Sequence, residues 1–289
     1  MQQNETFQSF HFTSDDGIDL HGRIQGGSAE DQRPVVCLPG LSRNSRDFYQ
    51  IARILAAQGR RVIALDYRGR GLSAWDPNPA NYNLLREAQD VLQAMAHLGI
   101  TEADFIGTSR GGLILHFLPA MAPGLVRSLV LNDIGPVIEI EGLRQIRDYL
   151  SARQEPGDLD EAARGLKATH GDAFSALGDR DWREMADAIY RDIGGRLVPD
   201  YDPALVEPLK IMDLSVPPPD LWEQFTALAP LPLLIIRGEN SSLLSIATVE
   251  EMLRRHGRAR SITAPGQGHA PLLHLPEVAI AMNAFLQDV

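Results

Sequence analysis

The chain has 289 residues, 44% of them hydrophobic and 22% charged, with a formal net charge of −11. This size allows one large α/β domain or two smaller ones, and the composition is that of an ordinary globular protein with no compositional sign of disorder. The acidic balance argues against nucleic acid or an anionic membrane as a partner, since both need clustered cations, and favours a neutral or hydrophobic small molecule.

In chain order, residues 1–6 lack the basic patch and apolar stretch of a secretory leader, and no later run approaches the about 18 apolar residues of a membrane span. Two alternating stretches, residues 7–12 and 18–24, flank Ser14-Asp15-Asp16-Gly17 and predict an antiparallel hairpin. Unbroken apolar strands then alternate with helical patterns: strand 34–38, helix 47–58, strand 61–65, helix 84–98, strand 105–106, helix 113–121 and strand 126–131. That rhythm predicts a parallel sheet covered on both faces. The only cysteine, Cys37, lies in the apolar run Val35-Val36-Cys37-Leu38, so it is expected to pack as a small hydrophobe. With no partner for an internal disulfide, it suits a reducing, cytoplasmic location.

From about residue 135 the strand signal stops and helical patches follow near residues 143–149, 160–169 and 182–190. The stretch ends in Pro217-Pro218-Pro219, which neither a helix nor a strand accommodates in its interior. Strand 231–236, helix 247–256, strand 260–263 and helix 276–287 then resume the earlier rhythm. The expected organisation is therefore a core of residues 1–135 and 220–289 with a helical cap, 136–219, inserted into it. Trp182, Tyr190 and Tyr201 in the cap are expected to serve packing more than a pocket wall, because buried aromatics dominate core energetics.

The chemistry centres on Gly107-Thr108-Ser109-Arg110-Gly111. An apolar run before it and Leu113-Ile114-Leu115 after it fit a nucleophile elbow, a sharp strand-to-helix turn with Ser109 at the corner. Positions two before and two after the serine must lack a Cβ, because the strained turn brings strand and helix together. A serine nucleophile needs a base, an acid that orients the base, and donors for the oxyanion. His269, in Pro265-Gly266-Gln267-Gly268-His269-Ala270-Pro271 after the last strand, is the candidate base. The other seven histidines fall in or at the ends of predicted elements, or in the cap. In Leu38-Pro39-Gly40-Leu41-Ser42 a glycine lets the backbone turn the Leu41 amide toward the serine; the Arg110 amide is the second donor.

Two other patterns are set aside. Gly69-Arg70-Gly71-Leu72-Ser73-Ala74 resembles a dinucleotide loop, but Trp75-Asp76-Pro77-Asn78-Pro79 follows at once and leaves no helix amino terminus for a phosphate. His269 and His274 are five apart with no carboxylate or cysteine at ligand spacing. Neither a cofactor nor a metal ion is expected.

The elbow, Pro39-Gly40-Leu41, the segment Asp66-Tyr67-Arg68-Gly69-Arg70-Gly71-Leu72-Ser73, Leu131-Asn132-Asp133-Ile134-Gly135-Pro136 and the His269 loop together resemble the capped α/β-hydrolase superfamily. The similarity is to its serine esterase-like branch, often compared with enol-lactonases, carbon–carbon bond hydrolases and cofactor-free haloperoxidases, and it spans essentially the whole chain. It implies an eight-stranded, mostly parallel sheet with the second strand antiparallel, helices on both faces, a helical cap after the sixth strand and a Ser-His-acid triad. It also implies an aspartate after the seventh strand, where this chain reads Arg237-Gly238-Glu239-Asn240-Ser241-Ser242-Leu243-Leu244-Ser245. Ser242 stands in place of the acid. Asp133, at the end of the sixth strand, is the preferred substitute, with Glu239 and a crippled triad as alternatives. The implied activity is hydrolysis of a small carboxylic ester or lactone. A weak or inactive ligand-binding protein and a carbon–carbon hydrolase acting on a vinylogous diketone are the alternatives.

Overall fold

A computed structural model of the protein describes residues 7–27, 32–152 and 155–289; the leader assessment above concerns residues outside these. Among the described residues ten strands are formed: β1 (Gln8–Thr13), β2 (Asp19–Gln25), β3 (Val35–Leu38), β4 (Val62–Asp66), β5 (Ala103–Thr108), β6 (Val126–Asn132), β7 (Tyr190–Asp192), β8 (Leu197–Pro199), β9 (Leu233–Gly238) and β10 (Arg260–Ala264). Eight make one sheet in the order β1-β2-β4-β3-β5-β6-β9-β10. β2 runs antiparallel to both β1 and β4, and the remaining pairs are parallel.

Alternation within the central strands divides the core in two. Val36, Leu38, Ile63, Leu65, Phe105, Leu129, Leu131 and Ile235 face helices Leu84–His97, Arg110–Leu115 and Ile246–His256. Their neighbours Val35, Cys37, Ala64, Ile106, Val130, Leu234 and Ile236 face helices Tyr49–Ala56 and Pro276–Asp288. Because both faces are covered, the central strands carry apolar residues on both faces over most of their length, so they read as near-continuous runs. Cys37 is fully buried, and burial pushes its thiol pKa up. Among the described residues, no helix is long and apolar enough to cross a membrane.

Between β6 and β9 lie helices Ile140–Ser151, Leu159–His170 and Asp179–Ile189 at the three expected patches. This segment has its own apolar cluster around Leu166, Phe174, Trp182, Ile189 and Tyr190. The expectation that it contains no strand is corrected: β7 and β8 pair antiparallel across Gly194 and Gly195, both at positive φ. Three-residue strands are too short to display an alternation, and Pro199 ends one of them. The expected single helix 113–121 is also two, Arg110–Leu115 and Leu118–Met121, since Pro119 has no N–H to continue the ladder.

Polar contacts tie this segment to the core. Arg46 pairs with Asp200 at 2.7 Å, Asn44 Nδ2 donates to the Ala188 carbonyl at 2.9 Å, and the Tyr82 hydroxyl donates to Asp202 at 2.5 Å.

His116 is the buried titratable group whose consequence is simplest. Nδ1 lies 2.8 Å from the Gly112 carbonyl, Nε2 has no partner, and burial lowers its pKa from 6.5 to about 4. The unfolded chain therefore binds the extra proton between those values, so the stability is present above pH 6.5 and is lost as pH falls toward 4. The expected loss at pH 5 is about 2 kcal/mol. Urea unfolding at pH 7.5 and pH 5 should show it, and His116→Leu should flatten the difference by that amount; an unchanged pH slope in the variant contradicts the assignment.

Candidate active site

β5 ends at Thr108 and helix Arg110–Leu115 begins one residue later, leaving Ser109 to make the corner at φ 51° and ψ −112°. Its amide is held by the Asn132 carbonyl at 3.0 Å. The steric reason for the flanking glycines is direct. A Cβ on Gly107 would lie 2.6 Å from the Gly111 carbonyl carbon, and one on Gly111 would lie 2.2 Å from the Leu38 carbonyl oxygen. Neither obstacle is a movable side chain.

His269 and Asp133 arrive from separate strand ends. His269 Nε2 is 2.9 Å from Ser109 Oγ, and its Nδ1 is 2.8 Å from Asp133 Oδ2. Asp133 follows β6, is fully buried, and has φ 55°, a left-handed conformation that aspartate tolerates better than most residues. Its carboxylate also accepts from the Gly238 amide at 2.7 Å and from Ser241 Oγ at 2.6 Å, while its own amide donates to Ile236 at 2.7 Å. β6 and β9 are neighbours in the sheet, so the end of β9 supplies donors to the acid. The His269 loop is anchored by Asn132 Nδ2 donating to Pro271 at 3.0 Å and by the Leu272 amide donating to Gln267 at 2.8 Å.

The alternative acid positions are not brought to the histidine. Ser242 Oγ donates to Gln145 Oε1 at 2.6 Å, and exposed Glu239 accepts the Gly266 amide at 2.7 Å. The Leu41 and Arg110 amides donate to no acceptor among the described residues, and the Leu41 loop adjoins the serine: a Cβ on Gly40 would be 3.9 Å from Ser109 Cβ.

A buried ion network behind these two amides escaped the reading of the sequence. Arg70 Nε donates to the Leu41 carbonyl at 2.8 Å, and Glu87 accepts from Arg70 at 2.7 Å and from Arg110 at 2.6 Å. Burial alone would raise the Glu87 pKa, but the two guanidiniums outweigh it and hold the carboxyl below its usual range. The four residues come from four segments, and no local pattern joins them. The arginine directly after the serine was the only visible hint.

Residues 67–78 form turns with Gly69 and Gly71 at positive φ and carry no helix. No carboxylate stands at ligand spacing from His274 in the sequence, but the fold brings two near it. Asp181 and Glu184 bring possible ligand atoms within 4.8 Å of one another and of His274. Their oxygens are engaged: Asp181 contacts His274 at 3.2 Å and accepts the Gly178 amide at 2.8 Å, while Glu184 accepts from Arg180 and Gln50. Of the three aromatics, Trp182 is packed against Phe174, whereas Tyr190 and Tyr201 also line a narrow cavity of about 40 Å³ beside Ser42 and Arg43.

A buried-strand serine elbow within hydrogen-bond reach of a histidine that is in turn within reach of a carboxylate is an arrangement able to move a proton off the hydroxyl. The sequence matches the family model for the alpha/beta hydrolase fold over residues 33–273. The chain belongs to the α/β-hydrolase family. It is 32% identical to a 3-hydroxybutyrate-oligomer hydrolase of Cupriavidus necator, over 90% of each chain. Among solved structures it is similar to an alpha/beta hydrolase from Novosphingobium aromaticivorans, with a TM-score of 0.90 and 38% identity over 98% of this chain and 99% of the other. It is also similar to an E-2-(acetamidomethylene)succinate hydrolase, with a TM-score of 0.81 and 26% identity over 98% and 100%. These relatives and the fold make this chain a hydrolase-family enzyme.

The elbow sterics give a stability test. Gly111→Ala drives a methyl group into the Leu38 carbonyl, and overpacking of this kind costs about 3 kcal/mol. A urea midpoint equal to that of the parent protein would show that the elbow relaxes freely.

Proposed function

We propose that this chain is a serine hydrolase that cleaves small carboxylic esters or lactones through an acyl-enzyme. Ser109 is the nucleophile, His269 the general base, Asp133 the orienting acid, and the Leu41 and Arg110 amides the oxyanion donors; residues 136–219 cap the site. The single observation that carries this reading is the unbroken chain of contacts Ser109 Oγ to His269 Nε2 to Asp133 Oδ2, at 2.9 and 2.8 Å.

In this reading, His269 takes the hydroxyl proton as Ser109 Oγ attacks the ester carbon, and Asp133 stabilises the imidazolium that forms. The developing oxyanion turns toward the two free amides. Collapse expels the alcohol, which receives the proton from His269, and water repeats the sequence on the acyl-enzyme to release the acid. Ester hydrolysis is also consistent with the name of the Cupriavidus relative, which makes oligomers of a hydroxy acid a sensible first substrate to try. Ser242 turns toward Gln145 and Asp133 lies within reach of His269, which weakens the motive for an inactive binding protein.

Two experiments test the proposal. A fluorophosphonate probe should label Ser109 in the parent protein, read by peptide mapping, and should not label Ser109→Ala. A folded protein that takes no label at Ser109 and turns over no activated ester sinks the reading. Asp133→Asn should lower kcat on 4-nitrophenyl butyrate by about 10³- to 10⁴-fold, in line with loss of the acid from other serine triads. Ser242→Asp should change it by less than about threefold; the reverse ranking of the two variants assigns the acid to the loop after β9.

A further inference from the structure

The cavity beside Ser42 and Arg43 has a chemical bias that the net charge of the chain conceals. Arg43 lies two residues beyond Leu41, and a Cβ on Gly40 would be 3.3 Å from Arg43 Cγ and 3.9 Å from Ser109 Cβ, so Gly40 is flanked by the stem of Arg43 and by the serine. From there it enters the cavity also lined by Ser42, Tyr149, Tyr190 and Tyr201. Asp47 takes one edge of the guanidinium, with Nε 2.8 Å from Oδ2 and Nη2 on Oδ1. That pairing fixes the plane of the fork, while Nη1 donates to nothing among the described residues. A guanidinium has five N–H donors and can serve a second acceptor when one edge is occupied.

The surrounding groups are also donors. Burial raises the pKa of the Tyr149 and Tyr190 hydroxyls, the latter to about 12, against the opposing pull of Arg43, so both stay protonated at neutral pH. The Tyr149 and Tyr201 hydroxyls make no hydrogen bond among the described residues. His170, edge-on to Tyr149 with ring centroids 4.8 Å apart, has its pKa lowered by burial and by Arg43, so it is not a second cation. Among the described residues no carboxylate lines the cavity, and Asp47 is committed to Arg43. A wall of one fixed cation and protonated phenols is complementary to an anionic, acceptor-only group.

Resting on the serine hydrolase reading, we propose that Arg43, with Tyr149 and Tyr201, forms an acyl-side subsite for a free carboxylate, so that the preferred substrates are esters whose acyl chain ends in an acid. The carboxylate docks on Arg43 while the ester carbonyl faces Ser109.

The test compares 4-nitrophenyl hydrogen adipate with 4-nitrophenyl hexanoate, esters of equal chain length that differ in the terminal carboxylate. In the parent protein, the ratio of kcat/KM for the acid ester to that for the neutral one should exceed unity. Arg43→Met should lower that ratio by about 10- to 100-fold, the range of one charge-assisted contact, and Arg43→Lys should restore part of it. A ratio that Arg43→Met leaves unchanged overturns the subsite while leaving the hydrolase reading intact. If neither ester is cleaved, the hydrolase reading fails separately, and binding decides the subsite. Titration calorimetry of monoethyl adipate into Ser109→Ala should give heat that disappears in the Ser109→Ala, Arg43→Met double variant. Equal heat in the two proteins, or none in either, rejects the subsite.

Discussion

Ser109 occupies a backbone conformation that an L-residue with a side chain adopts only under compulsion, and the surrounding packing supplies that compulsion. β5 and the helix that follows approach so closely that Gly107 and Gly111 abut backbone atoms, and the Asn132 carbonyl holds the serine amide from the next strand. Strain of this kind costs on the order of 1–3 kcal/mol and persists only where neighbours over-determine it. Here the doubly covered sheet does so, since β3, β5, β6 and β9 are buried on both faces and cannot yield. The residues assembled at the serine leave neighbouring strand ends: Asp133 follows β6, and His269, which contacts Ser109 Oγ, follows β10.

The parts of this arrangement that are local in sequence were legible there. The elbow announces itself in five residues, because a single steric requirement dictates both glycines. The sheet is visible because its central strands are apolar on both faces over most of their length, and the His269 loop because it is rich in glycine at a strand end. The hairpin β7–β8 was not legible, since three residues cannot show a period. The network of Arg70, Glu87, Arg110 and the Leu41 carbonyl was not legible either, because it is long-range. Glu87 looked like one more polar position on an amphipathic helix, yet it is fully buried between two guanidiniums.

The acid illustrates both sides. Strand-by-strand comparison with the superfamily pointed to position 242 and found serine; adjacency in the sheet pointed to Asp133. Sequence preferred the second candidate over Glu239 but left both open, because the decision depends on which side chain the β6 and β9 ends turn inward. In the folded chain three groups surround the Asp133 carboxylate: His269, the Gly238 amide and Ser241. Bulk charge is silent on local bias: the chain has a net charge of −11, yet Arg43 lines the cavity with Tyr149, Tyr190 and Tyr201.

Seating the carboxylate on β6 divides labour along the sheet. The turn from Glu239 to Ser245 contributes hydrogen bonds to the acid without bearing it, and its outer residue, Ser242, contacts Gln145 in the segment above the core. In the proposed triad, a turn freed from holding the carboxylate becomes a mechanical bracket, fastened to Asp133 at Ser241 and to helix Ile140–Ser151 at Ser242.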